Sequence, residues 1–250
     1  MTAEAVSRTP AYRRVAGELL RRISSGDLPP GSRVPPEREL AARYGISRMT
    51  ARAAVQLLSQ RGLVERRDRS GVFVARPKIE QELATVAGFH DQMLSRGIVP
   101  GAEVIRARTV RAEELDAGVT LHLGLAGGDP VHAVHRRRTG DAEPLTLEES
   151  YYPAHLFPGL LEEDLTGSVY GLMRGRYGRG PARSRQKIEP TQLDAEAAAA
   201  LGCRPDVPAL RVTRAAWDHQ GKAIEYARDL YRGDRLVFVT ETSESSEQAD

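Results

Sequence analysis

Cysteine is nearly absent from this chain of 250 residues, in which Cys203 is the only one. A single cysteine excludes an intramolecular disulfide and a metal cluster held by several thiolates of one chain. The histidines are scattered without the spacing of a metal-ligand set, so we expect neither zinc nor another cofactor. They are His90, His122, His132, His135, His155 and His219.

Long apolar runs are also missing. No stretch approaches the ~18 apolar residues that a membrane span requires, and the first residues, MTAEAVSRTPAYRR, lack the apolar core of a signal peptide. We therefore expect a cytoplasmic protein with no membrane partner. The composition, 40% hydrophobic and 28% charged, is that of a globular protein, and the length allows two domains.

Charge is unevenly distributed along the chain, although the net charge is only +2. Between Arg8 and Lys78, 16 basic and 6 acidic side chains leave a net charge of +10. From Ile79 onward, 20 basic and 27 acidic side chains leave −7. This asymmetry predicts a domain that binds nucleic acid or another polyanion, joined to a domain with a different task.

The basic region has the pattern of three helices. The first has one apolar face at helical spacing, formed by Tyr12, Val15, Ala16, Leu19 and Ile23. A second helix is predicted to start near Pro36, where the missing N–H of proline costs nothing, and to end at Gly45. Ser47 is a good N-cap for a third helix over about residues 48–61.

The third predicted helix carries a narrow polar stripe, formed by Arg48, Arg52, Gln56 and Ser59. LVERR and VFVA then flank a basic tip and predict a β-hairpin. This layout is that of a winged helix-turn-helix, which places its second helix in the major groove, where arginine can pair with guanine. The alternative is that these arginines form an ordinary solvated face with Glu37, Glu39 and Glu65.

The same segment resembles the winged helix-turn-helix of GntR-family bacterial transcription regulators. The resemblance rests on PGSRVPPERELA, YGISRMTARAA, GLVERR and GVFVARPK, which together cover about 65 residues. It implies that an arginine of the first motif, the start of the second motif and the hairpin tip contact the operator. The DNA-binding residues implied are Arg38, Ser47, Arg48, Thr50, Arg52, Arg69, Ser70 and Gly71.

Three positions depart from the family pattern. The hairpin tip reads Arg69-Ser70-Gly71, whereas the family commonly has Gly-Arg-Gly, and the lost glycine disfavours a deep minor-groove contact by the backbone. Pro36 replaces a serine, which removes an N-cap hydroxyl. Ala51 replaces a valine, a small loss of packing.

Two alternating strands of the second region, PVHAVHRRR and PLTLEESYY, flank TGDAE and predict a β-hairpin. Alternation places Arg136 and Arg138 on one face of the first strand, and it places Glu148 on the face opposite to Leu145 and Leu147 in the second. A register that brings these polar sets together would make a site for an anionic ligand. The alternative is an ordinary ion pair across a solvated sheet face, which contributes little to stability.

This region also resembles the UTRA effector domain of the HutC subgroup of GntR regulators, which has a chorismate-lyase-like fold. The resemblance covers about 150 residues and rests on R-x-R, E-x-S-Y-x-P, LTGSVY and the late EYAR and YRGDR. In members that bind sugar phosphates, these motifs hold the phosphate and contact the sugar. The effector-binding residues implied are Phe89, His90, Arg136, Arg138, Glu148, Ser150, Ser168, Tyr170, Glu225 and Tyr231.

One segment departs from that pattern. Gly88-Phe89-His90 stands where sugar-phosphate members often have a Ser-Phe-Thr-type segment. His90 could donate to an anion, more strongly when protonated, or could be an ordinary surface histidine of a helix. An amino-sugar 6-phosphate is the first expectation for the effector, and urocanate-like acids and phosphonates are the alternatives. The RGDR at residues 232–235 is predicted to be a turn with internal ion pairs.

The prediction is an α+β protein: a ligand-responsive regulator, a repressor that binds a palindromic double-stranded DNA operator as a homodimer and is released by a small anionic effector. The rival is an enzyme with a lyase-like domain, in which Glu148 and Glu225 could act as acid and base, although no nucleophile–base pair is evident. The predicted parts are a disordered N-terminus (1–10), the winged helix-turn-helix (11–76), a linker (77–86), a mixed α/β UTRA domain with an antiparallel sheet (87–241) and a disordered tail (242–250).

Overall fold

The computed structural model describes residues 9–67 and 70–242, and only the backbone of Arg67. The chain divides into two compact units after Pro77. Arg69 of the predicted hairpin tip lies outside the described residues, as do nearly all residues of the two ends predicted to be disordered. Within the described ranges, none of the helices combines the length and the apolar composition that crossing a bilayer requires.

The N-terminal unit contains three helices and a hairpin: α1 (Ala11–Ser24), α2 (Glu37–Tyr44), α3 (Arg48–Gln60), β1 (Val64–Arg67) and β2 (Gly71–Val74). The apolar face predicted for α1 is confirmed, because Val15, Ala16 and Leu19 are buried in the core of this unit. Leu40 of α2 and Leu58 of α3 pack into the same core.

The turn between α2 and α3 has the geometry of a helix-turn-helix. Gly45 adopts the left-handed conformation with φ 61°, which a glycine adopts without steric cost. Ser47 caps α3, since its Oγ accepts a hydrogen bond from the backbone N–H of Thr50 at 3.1 Å. Pro36 is the N-cap of α2, so the helix begins at Glu37, one residue after the predicted first helical position.

A third extended segment joins the predicted hairpin. β1 and β2 pair antiparallel, with Val64 opposite Val74. Val34 donates its backbone N–H to the carbonyl of Val72 at 2.8 Å, and Arg33 forms a bridge with Phe73. The loop before α2 therefore extends the small sheet, which fixes the hairpin against the helices as in a winged helix.

The C-terminal unit is a mixed α+β fold around one large sheet. Six strands form an antiparallel sheet in the order β4-β5-β6-β9-β8-β7, which confirms the predicted antiparallel sheet. The elements of this unit are β3 (Ile79–Glu82), α4 (Phe89–Leu94), β4 (Pro100–Arg111), α5 (Ala117–Leu123), β5 (Pro130–Gly140), β6 (Glu143–Pro153), α6 (Val169–Tyr177), β7 (Arg183–Gln192), α7 (Ala195–Ala200), β8 (Pro208–Trp217), β9 (Ala223–Arg232) and β10 (Leu236–Val239).

The linker predicted over residues 77–86 is corrected for residues 79–82. These residues form β3, which pairs in parallel with β10, so that Ile79 lies opposite Leu236. Gln81 is 2% exposed, so the segment is part of the folded unit. IEQE has no apolar pattern of its own, and its strand conformation depends on a partner more than 150 residues away along the chain.

The large sheet has two faces with separate apolar clusters. The inner face, to which Val134 and Val212 belong, is covered by α4, α6 and the β3–β10 pair. The outer face, to which Leu147 and Tyr226 belong, is covered by α5 at one end and by α7 at the other. Because both faces are covered, a charged side chain in the middle of the inner face is removed from water.

The β5–β6 hairpin has the predicted strands but an irregular tip. A register shift follows Arg138, and it places Leu145 among the buried residues of the inner face rather than beside Leu147 as the alternation predicts. Asp141 and Ala142 form the turn with φ values of 49° and 63°. A two-residue hairpin turn of this kind needs positive φ at both positions, which is unfavourable for alanine.

Candidate DNA-binding surface and effector site

The polar stripe predicted for α3 lies on the exposed side of that helix. Arg48, Arg52, Gln56 and Ser59 are exposed, whereas Ala51, Ala54, Val55 and Leu58 are buried. A groove of about 270 Å³ runs between this stripe and the hairpin, with Arg52 and Gln56 on one side and Arg66 on the other. Arg38, in the first turn of α2, is also exposed.

The predicted DNA-binding residues differ in how they are held within the unit. Arg52 Nε donates to both carboxylate oxygens of Glu37, at 3.1 and 3.2 Å, and Arg66 Nη2 lies 3.9 Å from the same carboxylate. Thr50 Oγ1 lies 2.8 Å from Ser47 Oγ, so these two hydroxyls belong to the cap of α3. Glu37 therefore holds the Nε–H of Arg52, while the Arg52 side chain stays exposed.

The described part of the hairpin tip consists of Ser70 and Gly71. Ser70 is exposed, and Gly71 has φ 113°, which favours glycine. A Cβ atom at Gly71 would also lie 3.1 Å from Nε of Arg33. Arg33 is thus a basic residue beside the tip that sequence reasoning misses, because the resemblance assigns the contact of that motif to Arg38 and the pairing of Arg33 with the hairpin is made in the fold.

The register of the β5–β6 hairpin places Arg136 directly opposite Glu148. Arg136 Nε donates to Glu148 Oε1 at 3.0 Å, and its Nη2 contacts the same oxygen. Arg138 Nη1 donates to the other carboxylate oxygen at 3.0 Å. The two arginines are 2% and 3% exposed and Glu148 is 5% exposed, so the predicted convergence is a buried cluster and not a solvated ion pair.

The two arginines use their donors differently. Arg136 also donates to the backbone carbonyls of Leu165, at 2.7 Å, and Gly167, at 3.4 Å, so it anchors the loop before α6. Arg138 has two buried nitrogens, Nε and Nη2, without a hydrogen-bond partner among the described residues. Its guanidinium carbon lies 4.8 Å from the ring centre of Phe89, which covers it.

The electrostatics show the same asymmetry. Burial acts to raise the pKa of the Glu148 carboxyl, but the two guanidiniums outweigh it and lower the pKa to about 2. Burial acts to lower the pKa of Arg136, but Glu148 outweighs it and the pKa is raised. For Arg138, burial prevails and lowers the pKa despite Glu148. One shared carboxylate therefore compensates Arg136 better than Arg138.

A second buried cluster lies beside the first on the inner face. Arg214 Nε donates to Glu225 Oε2 at 3.0 Å, and Arg214 Nη1 donates to Asp229 Oδ2 at 3.1 Å. The hydroxyls of Tyr170 and Tyr152 also donate to Glu225, the latter at 3.4 Å. Burial raises the pKa of Asp229 to about 7, since Arg214 opposes this only in part and neighbouring carboxylates add to it.

Sequence reasoning misses Arg214, Tyr152 and Asp229. The sequence ALRVTRAAW does contain a signal for Arg214. Val212, Arg214 and Ala216 share one face of the strand, so Arg214 is a charged residue on an otherwise apolar face. No comparable signal marks Asp229, because its neighbours on β6 and β8 are distant in sequence.

These clusters border an inner cavity of about 20 Å³, enough for one water molecule. Ser150 and Tyr231 lie behind its lining: Ser150 Oγ is 3.5 Å from Glu148 Oε1, and the Tyr231 hydroxyl is 3.5 Å from Asp229 Oδ2. The other predicted effector residues line the cavity, namely Phe89, His90, Arg136, Arg138, Glu148, Ser168, Tyr170 and Glu225. A ligand larger than water enters only if some of these side chains move.

The start of α6 adds a second feature that favours an anion. Ser168 caps this helix of nine residues, since its Oγ accepts from the N–H of Gly171 at 3.0 Å. Ser168, Val169 and Tyr170 line the cavity, so the positive end of the helix dipole borders it. His90, on α4, has a buried Nδ1 without a hydrogen-bond partner in the described ranges.

A larger cavity of about 380 Å³ lies on the outer face near α7. Its lining mixes charges of both signs, including Glu149, Arg211 and Arg228. Arg228 Nη1 is paired with Asp116 at 2.5 Å, and Arg211 Nη2 lies 3.4 Å from the hydroxyl of Thr191. This cavity is roomier, and Arg137 Nε near α7 is also buried without a partner among the described residues. The inner face has three such nitrogens, two on Arg138 and one on His90, which makes it the better candidate site.

The remaining polar groups do not suggest other chemistry. Arg232 pairs with Asp234 at 2.8 Å, as predicted for the RGDR turn. In residues 9–67 and 70–242, no group of three or more His, Cys, Asp or Glu side chains is arranged to hold a metal ion.

Comparison with known proteins decides the family. Residues 11–74 match the bacterial regulatory proteins of the gntR family, and residues 95–236 match the UTRA domain. The chain is 35% identical to the transcriptional repressor NagR of Bacillus subtilis over 231 residues, which cover 92% of this chain and 93% of NagR. It is 36% identical to the repressor PhnF of Mycolicibacterium smegmatis over 240 residues, which cover 96% and 95% of the two chains. The crystal structure of PhnF matches with a TM-score of 0.66 at 33% identity, covering 92% of this chain and 99% of that one.

The chain belongs to the GntR family. As in its HutC-type relatives, a GntR helix-turn-helix precedes a UTRA effector domain, so the protein is a ligand-responsive transcriptional repressor and not an enzyme. In this GntR regulator, Glu148 and Glu225 are bound by arginines, and this pairing leaves neither carboxyl placed as the acid–base couple that the rival hypothesis requires.

Proposed function

We propose that this GntR-family repressor binds a palindromic operator as a homodimer and releases it when a small anion occupies the inner-face cavity. The observation that carries the proposal is Arg138: a guanidinium 3% exposed to solvent, with two buried nitrogens that lack partners. Unmet donors of a buried charge are costly, and an anion would supply the missing acceptors.

The neighbours of Arg138 describe the rest of the effector. The acceptors Glu148 and Glu225 and the hydroxyl of Tyr170 suit a ligand that carries hydroxyl or amine groups beside its anionic group. A sugar phosphate fits both requirements, and an amino-sugar 6-phosphate is our first choice. An organic acid or a phosphonate would satisfy Arg138 but would use fewer of the remaining groups.

Such a ligand requires the cavity to open. Phe89 stacks on Arg138 and closes the site from α4. We infer that the effector displaces Phe89 and thereby moves the start of α4, with Arg136, Arg138 and the start of α6 as the fixed side of the site. His90 moves with Phe89, since they are adjacent, and can then offer its free ring nitrogen to the anion.

Movement of α4 has a direct route to the beginning of the C-terminal unit. The Gln92 side chain accepts from the backbone N–H of Glu82 at 2.8 Å, and it donates to the carbonyl of Glu82 at 3.2 Å and of Ala87 at 3.3 Å. Glu82 ends β3, and β3 begins two residues after Pro77. We propose that this connection transmits effector binding toward the DNA-binding unit.

For operator binding, the proposed contacts are Arg38, Arg48 and Arg52. All three are exposed, although the Nε–H of Arg52 is bound to Glu37. Ser47, Thr50, Ser70 and Gly71 are proposed to approach the DNA backbone. A dimer follows from the geometry of helix-turn-helix proteins, which read two half-sites about one helical turn apart.

The effector half is tested by a thermal-shift panel of sugar phosphates, organic acids and phosphonates on the full chain. A ligand at 100 times its dissociation constant stabilises the protein by ~2.7 kcal/mol. Arg138→Ala is expected to lose this shift, whereas Arg211→Ala, which removes an exposed arginine at the outer cavity, is expected to keep it. A hit that survives Arg138→Ala and disappears in Arg211→Ala would place the effector on the outer face and refute the proposal.

A further inference from the structure

The inner face contains one carboxyl group that its surroundings leave incompletely paired. Asp229 is 1% exposed and lies opposite Glu148 across β6 and β9. Its Oδ2 accepts from Arg214 at 3.1 Å and from the Tyr231 hydroxyl at 3.5 Å. Its Oδ1 is buried and has no partner among the described residues.

The other two inner-face carboxylates are fully engaged. Glu148 binds two guanidiniums, and Glu225 binds Arg214 and two tyrosine hydroxyls. Asp229 has to share Arg214 with Glu225, so it is the carboxyl with the least compensation. When Asp229 is ionised, three carboxylates balance three arginines; when it is protonated, the inner face has an excess of one positive charge.

We propose that Asp229 is a further determinant of effector specificity, a carboxyl group that takes up a proton when an anion binds at Arg138. This inference rests on the proposed anion site and adds the group that adjusts the charge of that site. Protonation removes a like charge close to the incoming anion. Asp229 does not line the inner cavity itself, so its influence on an anion at Arg138 is one of charge and not of a direct hydrogen bond.

The groups that face Asp229 act on its ionisation in opposite directions. From β8, Arg214 favours the ionised form; from β6, Glu148 opposes it; from β9, Glu225 opposes it beside the Tyr231 hydroxyl; from β5, Arg138 favours it. An anion bound to Arg138 would cancel the last of these. In the free protein the pKa of Asp229 is raised to about 7, and an anion bound at Arg138 would raise this pKa further and so favour proton uptake.

The consequence is selection by charge. Proton uptake at Asp229 raises the affinity for a dianion. It does not raise the affinity for a neutral sugar, which also leaves the charge of the buried arginines uncompensated. Anion affinity is then expected to fall as pH rises above 7, by up to about tenfold per pH unit while one proton is taken up per anion bound.

The test uses the full chain and inorganic sulfate, a dianion that does not itself titrate near neutral pH. Sulfate also stabilises proteins without binding, so site binding is taken as the thermal shift of the wild type minus that of Arg138→Ala. Proton uptake is measured directly from the pH rise of a weakly buffered sample on addition of sodium sulfate, with sodium chloride at equal ionic strength as the reference.

Three proteins are compared between pH 6.5 and 8.5: the wild type, Asp229→Asn and His90→Asn. We expect the wild type to bind a fraction of a proton with sulfate and to bind sulfate less well as pH rises. Asp229→Asn should show neither effect, while His90→Asn should retain both above pH 7. If Asp229→Asn does not fold, the wild-type and His90→Asn profiles still decide, since a flat wild-type profile overturns the proposal.

The outcomes separate this inference from the function on which it rests. If sulfate binds and Asp229→Asn keeps the proton uptake, or if His90→Asn abolishes it, Asp229 is not the group and the inference is overturned while the anion site stands. If sulfate and the sugar phosphates stabilise the wild type no more than they stabilise Arg138→Ala, the anion site itself is absent and both proposals fail.

Discussion

Replacing Glu148 by glutamine is the most direct perturbation of the inner face. One carboxylate here serves two buried guanidiniums, at 3.0 Å from Arg136 Nε and 3.0 Å from Arg138 Nη1. Glutamine keeps the size but removes the charge, so both arginines lose their main counter-charge. Removing one partner of a buried ion pair costs roughly 3–5 kcal/mol, because the remaining charge is left uncompensated.

The lowered pKa of Glu148 gives a magnitude of the same order. Lowering it from 4.5 to about 2 corresponds to about 3 kcal/mol of stability at neutral pH. We therefore expect Glu148→Gln to lower the free energy of unfolding by about 3–5 kcal/mol. This is a large part of the roughly 5–15 kcal/mol that holds a typical domain together.

The assay is urea denaturation followed by tryptophan fluorescence. Trp217 is the single tryptophan of the chain and lies in β8, so its signal reports the C-terminal unit. Glu149→Gln is the matched control, since it makes the same chemical change at the next residue, on the outer face, and should cost less than about 1 kcal/mol. If Glu148→Gln loses no more stability than Glu149→Gln, the buried cluster does not exist as described.

The pH dependence of the stability difference between the wild type and Glu148→Gln provides a second check. Because the pKa of Glu148 is lowered by folding, its stabilisation is present above pH 4.5 and is lost as pH falls toward about 2. The stability gap between the wild type and Glu148→Gln should therefore narrow over this range. A gap that stays constant down to pH 2 would refute the assignment of the shift to the two arginines.

Three further predictions concern other parts of the molecule. Arg48→Ala should weaken operator binding by roughly 1–3 kcal/mol and relax sequence preference in a titration at fixed salt. Arg21→Ala on α1 should change operator affinity little. Equal losses in the two variants would contradict the assignment of α3 as the helix that binds the operator. Gln92→Ala should leave operator affinity and effector binding intact but raise the effector concentration needed for DNA release in an anisotropy assay. Leu94→Ala, at an exposed position of the same helix, is the control. If Gln92→Ala releases DNA at the wild-type effector concentration, the α4–β3 connection does not transmit effector binding. Ala142→Gly should stabilise the C-terminal unit by about 1 kcal/mol in urea, because glycine adopts φ 63° without strain; a loss of stability would show that the turn tolerates alanine.

Arg136 and Arg138 are equivalent by sequence but not in the fold. Alternation places both on one face of β5, but the register shift after Arg138 is needed to bring Arg136 opposite Glu148, since the regular register of the two-residue turn would place Arg136 opposite Leu147. Their different use depends on the loop before α6, whose carbonyls at Leu165 and Gly167 occupy Arg136 alone. We therefore expect Arg136→Ala to destabilise the unit and Arg138→Ala to be the cleaner test of anion binding.

The sequence by itself determined the local patterns: the apolar face of α1, the turn at Gly45, the exposed stripe of α3 and the two strands of the β5–β6 hairpin. Each depends on residues close in the chain, whose spacing fixes their relative positions. Only the tertiary structure decided what distant segments do to one another. It pairs β3 with β10, brings Arg214 and Asp229 beside Glu148, and sets Phe89 over Arg138, because burial and pairing with remote strands determine these contacts.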